Sequence, residues 1–145
     1  MKMKILFMCV ANSARSQLAE GLAKSIFADR AWIESAGSSP YRVSSTAIEV
    51  MREIGIDLRD HHSKGVEDLP REFLEGLNYV VTLCVEEVCP SFITQAKRLH
   101  WPMPDPGQAL PTHEGQLMFF RQVRDEMKKK IEVWAKEILS APTRT

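Results

Sequence analysis

The sequence carries no excess of charge of either sign. Nineteen Lys and Arg face nineteen Asp and Glu in 145 residues, for a formal net charge of zero. That speaks against the broad basic field of a nucleic-acid binder and against an acidic tail. Long hydrophobic runs are missing too. The longest, Ile5 to Ala11, falls far short of the roughly 20 residues of a membrane span, so no membrane partner is expected. Asn12 and Arg15 interrupt that run before it can serve as a secretion signal behind Met1–Lys4, and a cytoplasmic protein is expected. Cysteine is scarce. Three, an odd number in a chain long enough for a full core, do not read as a disulfide framework; catalytic, redox or metal roles come first. No internal repeat or interdomain linker is visible. Residues 1–139 are read as one domain and 140–145 as a frayed tail, in a protein expected to be monomeric.

What is present is the pattern of a small α/β protein. Residues 4–9 form a short run, apolar after Lys4 and without alternation, the signature of a strand buried on both faces. After Asn12-Ser13-Ala14, residues Leu18, Ala19, Leu22, Ala23, Ile26 and Phe27 recur at steps of three and four and mark a helix. A second strand is expected over 32–35. Thr46 with Glu49 reads as a capping box for a helix carrying Val50, Met51 and Ile54 and closing at Gly55. Further strands are expected over 79–83 and 98–101. A last helix, about 114–139, shows the stripe Leu117, Phe120, Val123, Met127, Ile131, Trp134, Ile138. Alternating strands and helices give a sheet covered on both faces.

The segment Cys9-Val10-Ala11-Asn12-Ser13-Ala14-Arg15-Ser16 joins the first strand to the first helix. No Gly-Lys-Ser or Gly-Lys-Thr is present, so it is not a nucleotide-binding P-loop. A loop ending at a helix N-terminus aims backbone N–H groups inward, and the helix dipole adds positive potential. Arg15 can fork two hydrogen bonds onto a tetrahedral oxyanion. The same field favours the thiolate of Cys9, the form that attacks. Ser16 is placed to stabilise that thiolate, and Asn12 to hold the loop.

Cys9-x-x-Asn12-x-x-Arg15-Ser16-x-x-Ala19-Glu20 resembles the signature of the low-molecular-weight tyrosine phosphatases and of the arsenate reductases built on the same fold. The resemblance covers nearly the whole chain. It implies a flavodoxin-like three-layer sandwich, with a four-stranded parallel sheet in order 2-1-3-4 and helices on both faces. It also implies that Asp105, in Asp105-Pro106, is the general acid.

The other two cysteines separate those chemistries. Cys84 and Cys89 follow the third strand, and if that strand neighbours the first, Cys9 and Cys84 share the carboxyl edge where ligands bind. A hydrolase needs only Cys9, Arg15 and Asp105. Reduction of arsenate needs two electrons, which two thiols supply by becoming a disulfide. Thr82-Leu83-Cys84, Cys89-Pro90 and Trp101-Pro102-x-x-Asp105-Pro106 are similar to the thioredoxin-coupled arsenate reductases. That similarity implies a Cys9–arsenic adduct, a Cys9–Cys84 disulfide, and transfer of that disulfide to Cys84–Cys89 for thioredoxin. Phosphate and sulfate would compete with arsenate. Glutaredoxin or a small thiol stays open as reductant. The alternatives are a phosphomonoester hydrolase, a non-catalytic redox or metal sensor, and a zinc site at Cys84 and Cys89 with His61 or His62.

Three departures from the relatives stand out. The Cys84–Cys89 gap is shorter. Ala11 replaces a glycine common among them, so positive φ is not expected there. Relatives that bind potassium use positions matching Asn12, Glu20 and Ser35 plus an aspartate, whereas this chain has Lys64 at the place of the aspartate. No tightly bound cofactor is expected; potassium stays open but becomes dispensable, with the Lys64 ammonium standing against Glu20 in the cation's place.

Overall fold

The structure is a computed structural model and describes residues 2–84, 95–106 and 110–140. Cys89 and the tail residues 141–145 lie outside the described residues, while Ser140 still belongs to the last helix. The strands are β1 (Met3–Cys9), β2 (Ala31–Gly37), β3 (Tyr79–Thr82) and β4 (Lys97–His100), and the helices are α1 (Arg15–Phe27), α2 (Ser45–Arg52), α3 (Arg71–Glu75) and α4 (His113–Ser140). The four strands form one sheet in order β2-β1-β3-β4, with every neighbouring pair parallel.

β1 is central, and both of its faces are buried. Ile5 and Phe7 pack into a large core with α1, α2 and α4, whereas Leu6 and Met8 pack into a smaller one with Leu69, Phe73 and Leu77 around α3. All four strand residues are fully inaccessible, which is why the run shows no polar alternation. Helices therefore cover both faces in a three-layer sandwich. α3 has only five residues and was not legible in the sequence, because one buried residue, Phe73, leaves no period to read.

α2 begins differently from the capping box expected at Thr46 and Glu49. Ser44 is the N-cap, its hydroxyl accepting from the Ala47 N–H at 3.2 Å, and Thr46 is buried inside the helix. Ser44 is extended, and its own N–H donates to the Ser13 carbonyl at 3.0 Å, so the chain turns into the helix as it leaves the Cys9–Ser16 loop. At the far edge, Trp134 stacks edge-on against Phe27, Tyr79 and Trp101, as expected for core aromatics.

Candidate active site

The loop from Cys9 to Arg15 leaves β1 at its carboxyl end and enters α1 directly. The N-cap of α1 is Ala14, which has no side-chain cap, and no acidic residue lies in the first turn. The first N–H groups of the helix thus have no capping side chain. The carbonyls of Val10 to Ser13 are all occupied from outside the loop. Ser39, Tyr41 and Ser44 donate their N–H groups to the oxygens of Val10, Ala11 and Ser13 at 2.9, 3.0 and 3.0 Å. The Ser63 hydroxyl donates to the Asn12 oxygen at 2.6 Å. In a trans peptide the following N–H points opposite to the carbonyl, so the amides of residues 11 to 14 face the space the loop encloses. That space is a cavity of about 310 Å³ lined by Cys9, Val10, Ala11, Ser13, Ala14, Arg15, Tyr41 and Asp105.

The nucleophile candidate has a defined partner. Cys9 Sγ lies 2.8 Å from Ser16 Oγ, and Ser16 Oγ accepts a hydrogen bond from Asn12 Nδ2 at 2.7 Å. Asn12 takes one of the two lone pairs of the Ser16 hydroxyl, which leaves its proton and its other lone pair for the sulfur. Asn12 and Ser16 are wholly buried and serve the loop from within, whereas the other expected oxyanion-loop residues line the cavity.

Asn12 takes a left-handed conformation, φ 49°, and Ala11 does not. The departure at Ala11 is therefore harmless, since the strained position falls on a residue type that tolerates it. The Asn12 side chain is held at every atom. Nδ2 also donates to Ser35 Oγ at 2.9 Å, and Oδ1 accepts from Gln17 Nε2 and the Lys64 N–H, both at 3.0 Å. Ser35 Oγ in turn donates to Glu20 Oε1.

Arg15 is buried and ties three segments together. Its Nη1 points at the Leu83 carbonyl, one residue before Cys84, at 3.4 Å, and at the Met103 carbonyl, in the loop bearing Asp105, at 3.5 Å. Pairing past the strand ends brings those segments to one edge. Leu83 N–H donates to Met8 O at 3.0 Å, and Met103 N–H to Leu83 O at 3.1 Å. Cys9 and Cys84 thus follow adjacent parallel strands at the same edge of the sheet, both buried and not joined by a disulfide.

Glu20 sits behind the loop, almost without exposure. Burial pushes its carboxyl up, but the Lys64 charge and the hydrogen bonds from Lys24 and Ser35 outweigh that and hold it below the ordinary glutamate value. Lys64 Nζ lies 3.1 Å from Glu20 Oε1, so the expected pairing is present. His61, weighed above as a zinc ligand, contacts Gln17 Oε1 at 3.0 Å, and burial lowers its imidazole below the usual value.

Sequence reasoning missed Gln17, Tyr41, Ser63 and Gly37. A Cβ on Gly37 would lie 2.3 Å from the Val10 carbonyl oxygen, so only glycine lets β2 end against the loop. That isolated glycine at a strand end was the one available signal; Ser63 and Tyr41 reach the loop from more than 25 residues away and carry none.

Residues 4–142 match the low molecular weight phosphotyrosine protein phosphatase family. An arsenate reductase of Halalkalibacterium halodurans is 39% identical over 136 residues, covering 92% of this chain and 96% of that protein. The solved structure of an arsenate reductase in the phosphate binding state superposes with a TM-score of 0.76 at 35% identity, covering 95% of this chain and 99% of the other. A thioredoxin-dependent arsenate reductase of Corynebacterium glutamicum gives a TM-score of 0.71 at 25% identity, covering 97% of this chain and 64% of that one.

Proposed function

Because the chain belongs to the low molecular weight phosphotyrosine protein phosphatase family and carries a second buried thiol, Cys84, at the sheet edge where Cys9 lies, we propose that it reduces arsenate to arsenite. The observation that carries this reading is the placement of Cys84. It follows β3 on the edge where Cys9 follows β1, and a hydrolase has no use for it there.

In the proposed reaction, arsenate enters the cavity and its oxygens accept from the loop amides and Arg15. The Cys9 thiolate attacks arsenic, and Asp105 protonates the oxygen that leaves as water. Cys84, as thiolate, then attacks the Cys9 sulfur. The electron pair of the sulfur–arsenic bond stays with arsenic, which departs as arsenite, and a Cys9–Cys84 disulfide remains. Cys89 attacks Cys84, releasing Cys9, and a dithiol reductant of the thioredoxin kind reduces the Cys84–Cys89 pair. The C. glutamicum neighbour supports that choice of reductant. The first step is shared with phosphomonoester hydrolysis, so a weak phosphatase activity accompanies reduction.

The test couples arsenate reduction to NADPH oxidation through thioredoxin and thioredoxin reductase. Cys84→Ser and Cys89→Ser abolish turnover but leave aryl phosphate hydrolysis in place. Turnover that survives Cys84→Ser would sink the relay.

A further inference from the structure

Lys64 is the residue through which the loop's support closes on itself. Its N–H donates to Asn12 Oδ1, while Asn12 Nδ2 donates to Ser35 Oγ, Ser35 Oγ to Glu20 Oε1, and Lys64 Nζ to that same Glu20 oxygen at 3.1 Å. The circuit starts and ends on one residue. The Lys64 carbonyl adds a bond from the Gly37 N–H at 2.9 Å, fastening the end of β2 to the same point. Its ammonium is 11% exposed and reaches a second carboxylate, Glu34 Oε1, at 3.8 Å. Lys24 also bonds Glu20, but at 48% exposure its charge is far better screened. Lys64 is thus the half-buried counter-ion of a buried carboxylate, and removing one partner of such a pair leaves the other uncompensated.

Potassium at the matching positions needs oxygen lone pairs turned toward it, and the Ser35 oxygen already accepts from Asn12 Nδ2. Here those oxygens are taken. Asn12 Oδ1 accepts two N–H groups, the Ser35 proton points at Glu20, Glu20 Oε1 accepts from Ser35 and Lys64, and Oε2 accepts from Lys24 at 2.6 Å. A metal ion would also meet the ammonium at contact distance, a repulsion that a buried site screens poorly. The residues present do not fit potassium.

We propose that Lys64 is a tethered cation: through Glu20 and Ser35 it holds Asn12 in its left-handed conformation, and with it the oxyanion loop, so this chain requires no monovalent metal ion. Lys64 acts as a positioning residue and touches no substrate. The proposal rests on the oxyanion reading of the loop only in its affinity arm; the melting arm needs no anion, so the two readings fail separately.

The experiment compares the wild type with Lys64→Ala and Lys64→Asp in potassium, ammonium and choline chloride at equal ionic strength. Tm is read by circular dichroism and inorganic phosphate affinity by calorimetry. The wild type shows the same Tm and Kd in all three salts. Lys64→Ala loses about tenfold in phosphate affinity and melts about 5 °C lower, and potassium or ammonium restores both saturably while choline does not. Lys64→Asp gains a saturable rise of Tm with potassium. Repair by small cations is the signature that a role in packing alone would not give. A saturable gain of the wild type in potassium over choline would overturn the proposal, as would a loss in Lys64→Ala that no small cation repairs. Should neither variant fold, the wild-type comparison alone decides.

Discussion

Cys9 Sγ and Ser16 Oγ stand 2.8 Å apart, joining the start of the oxyanion loop to the first turn of the helix that follows it. Asn12 Nδ2 already donates to that hydroxyl and fixes it in place, so the Ser16 hydroxyl can donate to the sulfur as Cys9 attacks. Hydrogen bonds to charged groups contribute about 1.5–3 kcal/mol. Ser16→Ala is therefore expected to slow aryl phosphate hydrolysis and alkylation of Cys9 by iodoacetamide at pH 7, each by about tenfold or more. Unchanged alkylation would mean that the contact does not activate the sulfur.

Gly37 supports the loop from the opposite side. The Cβ of Gly37→Ala would overlap the Val10 carbonyl oxygen and lie 2.9 Å from the Asn12 nitrogen, both backbone atoms that no rotamer change can move aside. Overpacking of this kind costs about 1–3 kcal/mol. Urea denaturation should register that loss, and phosphate binding should weaken with it, since the displaced atoms belong to the loop.

Tyr41 lines the cavity and is 71% exposed. Bound as proposed, arsenate would end within the loop, whereas an aryl phosphate would extend beyond it toward the ring. Tyr41→Ala should leave the KM for arsenate within about twofold and raise the KM for an aryl phosphate about fivefold, the size of one aromatic contact. Equal effects on both substrates would place Tyr41 in support of the loop instead.

Acid stability has an identifiable contributor away from the site. Hydrogen bonds from Arg121, aided by Arg124, hold the Glu53 carboxyl down at about 2. Arg124 is buried in α4 and also donates to the Val50 carbonyl at 2.8 Å, stapling α4 to α2. The folded value lies below the ordinary 4.5, so the stabilisation is present above pH 4.5 and disappears as pH falls toward 2. Glu53→Gln should cost about 1 kcal/mol at pH 7, with the gap from wild type closing below pH 4.5. A pH-independent gap would place the loss elsewhere.

Much of the fold was legible because burial writes itself into composition. β1 is apolar from Ile5 onward because both its faces are covered, and α4 shows a stripe because only one of its faces is. The stripe still concealed Arg124, which reads as a surface charge until Glu53 and the Val50 carbonyl appear beside it. The start of α2 was misplaced because Ser44 and Thr46 are both good caps, and the bond from Ser44 N–H to Ser13 decided between them.

The sequence by itself determined the chemistry available to this protein: a thiol, an arginine and a helix start within eight residues, with two further thiols downstream. Local spacing suffices there, because a strand-to-helix loop imposes its own geometry. Only the tertiary structure decided what braces that loop. Gln17, Ser35, Ser63 and Lys64 converge on Asn12 from positions up to 52 residues away, and no local pattern encodes which distant group will meet a given lone pair. It likewise decided that Cys84 leaves the sheet beside Cys9, since parallel pairing of β1 with β3 sets that neighbourhood and the residues between them do not.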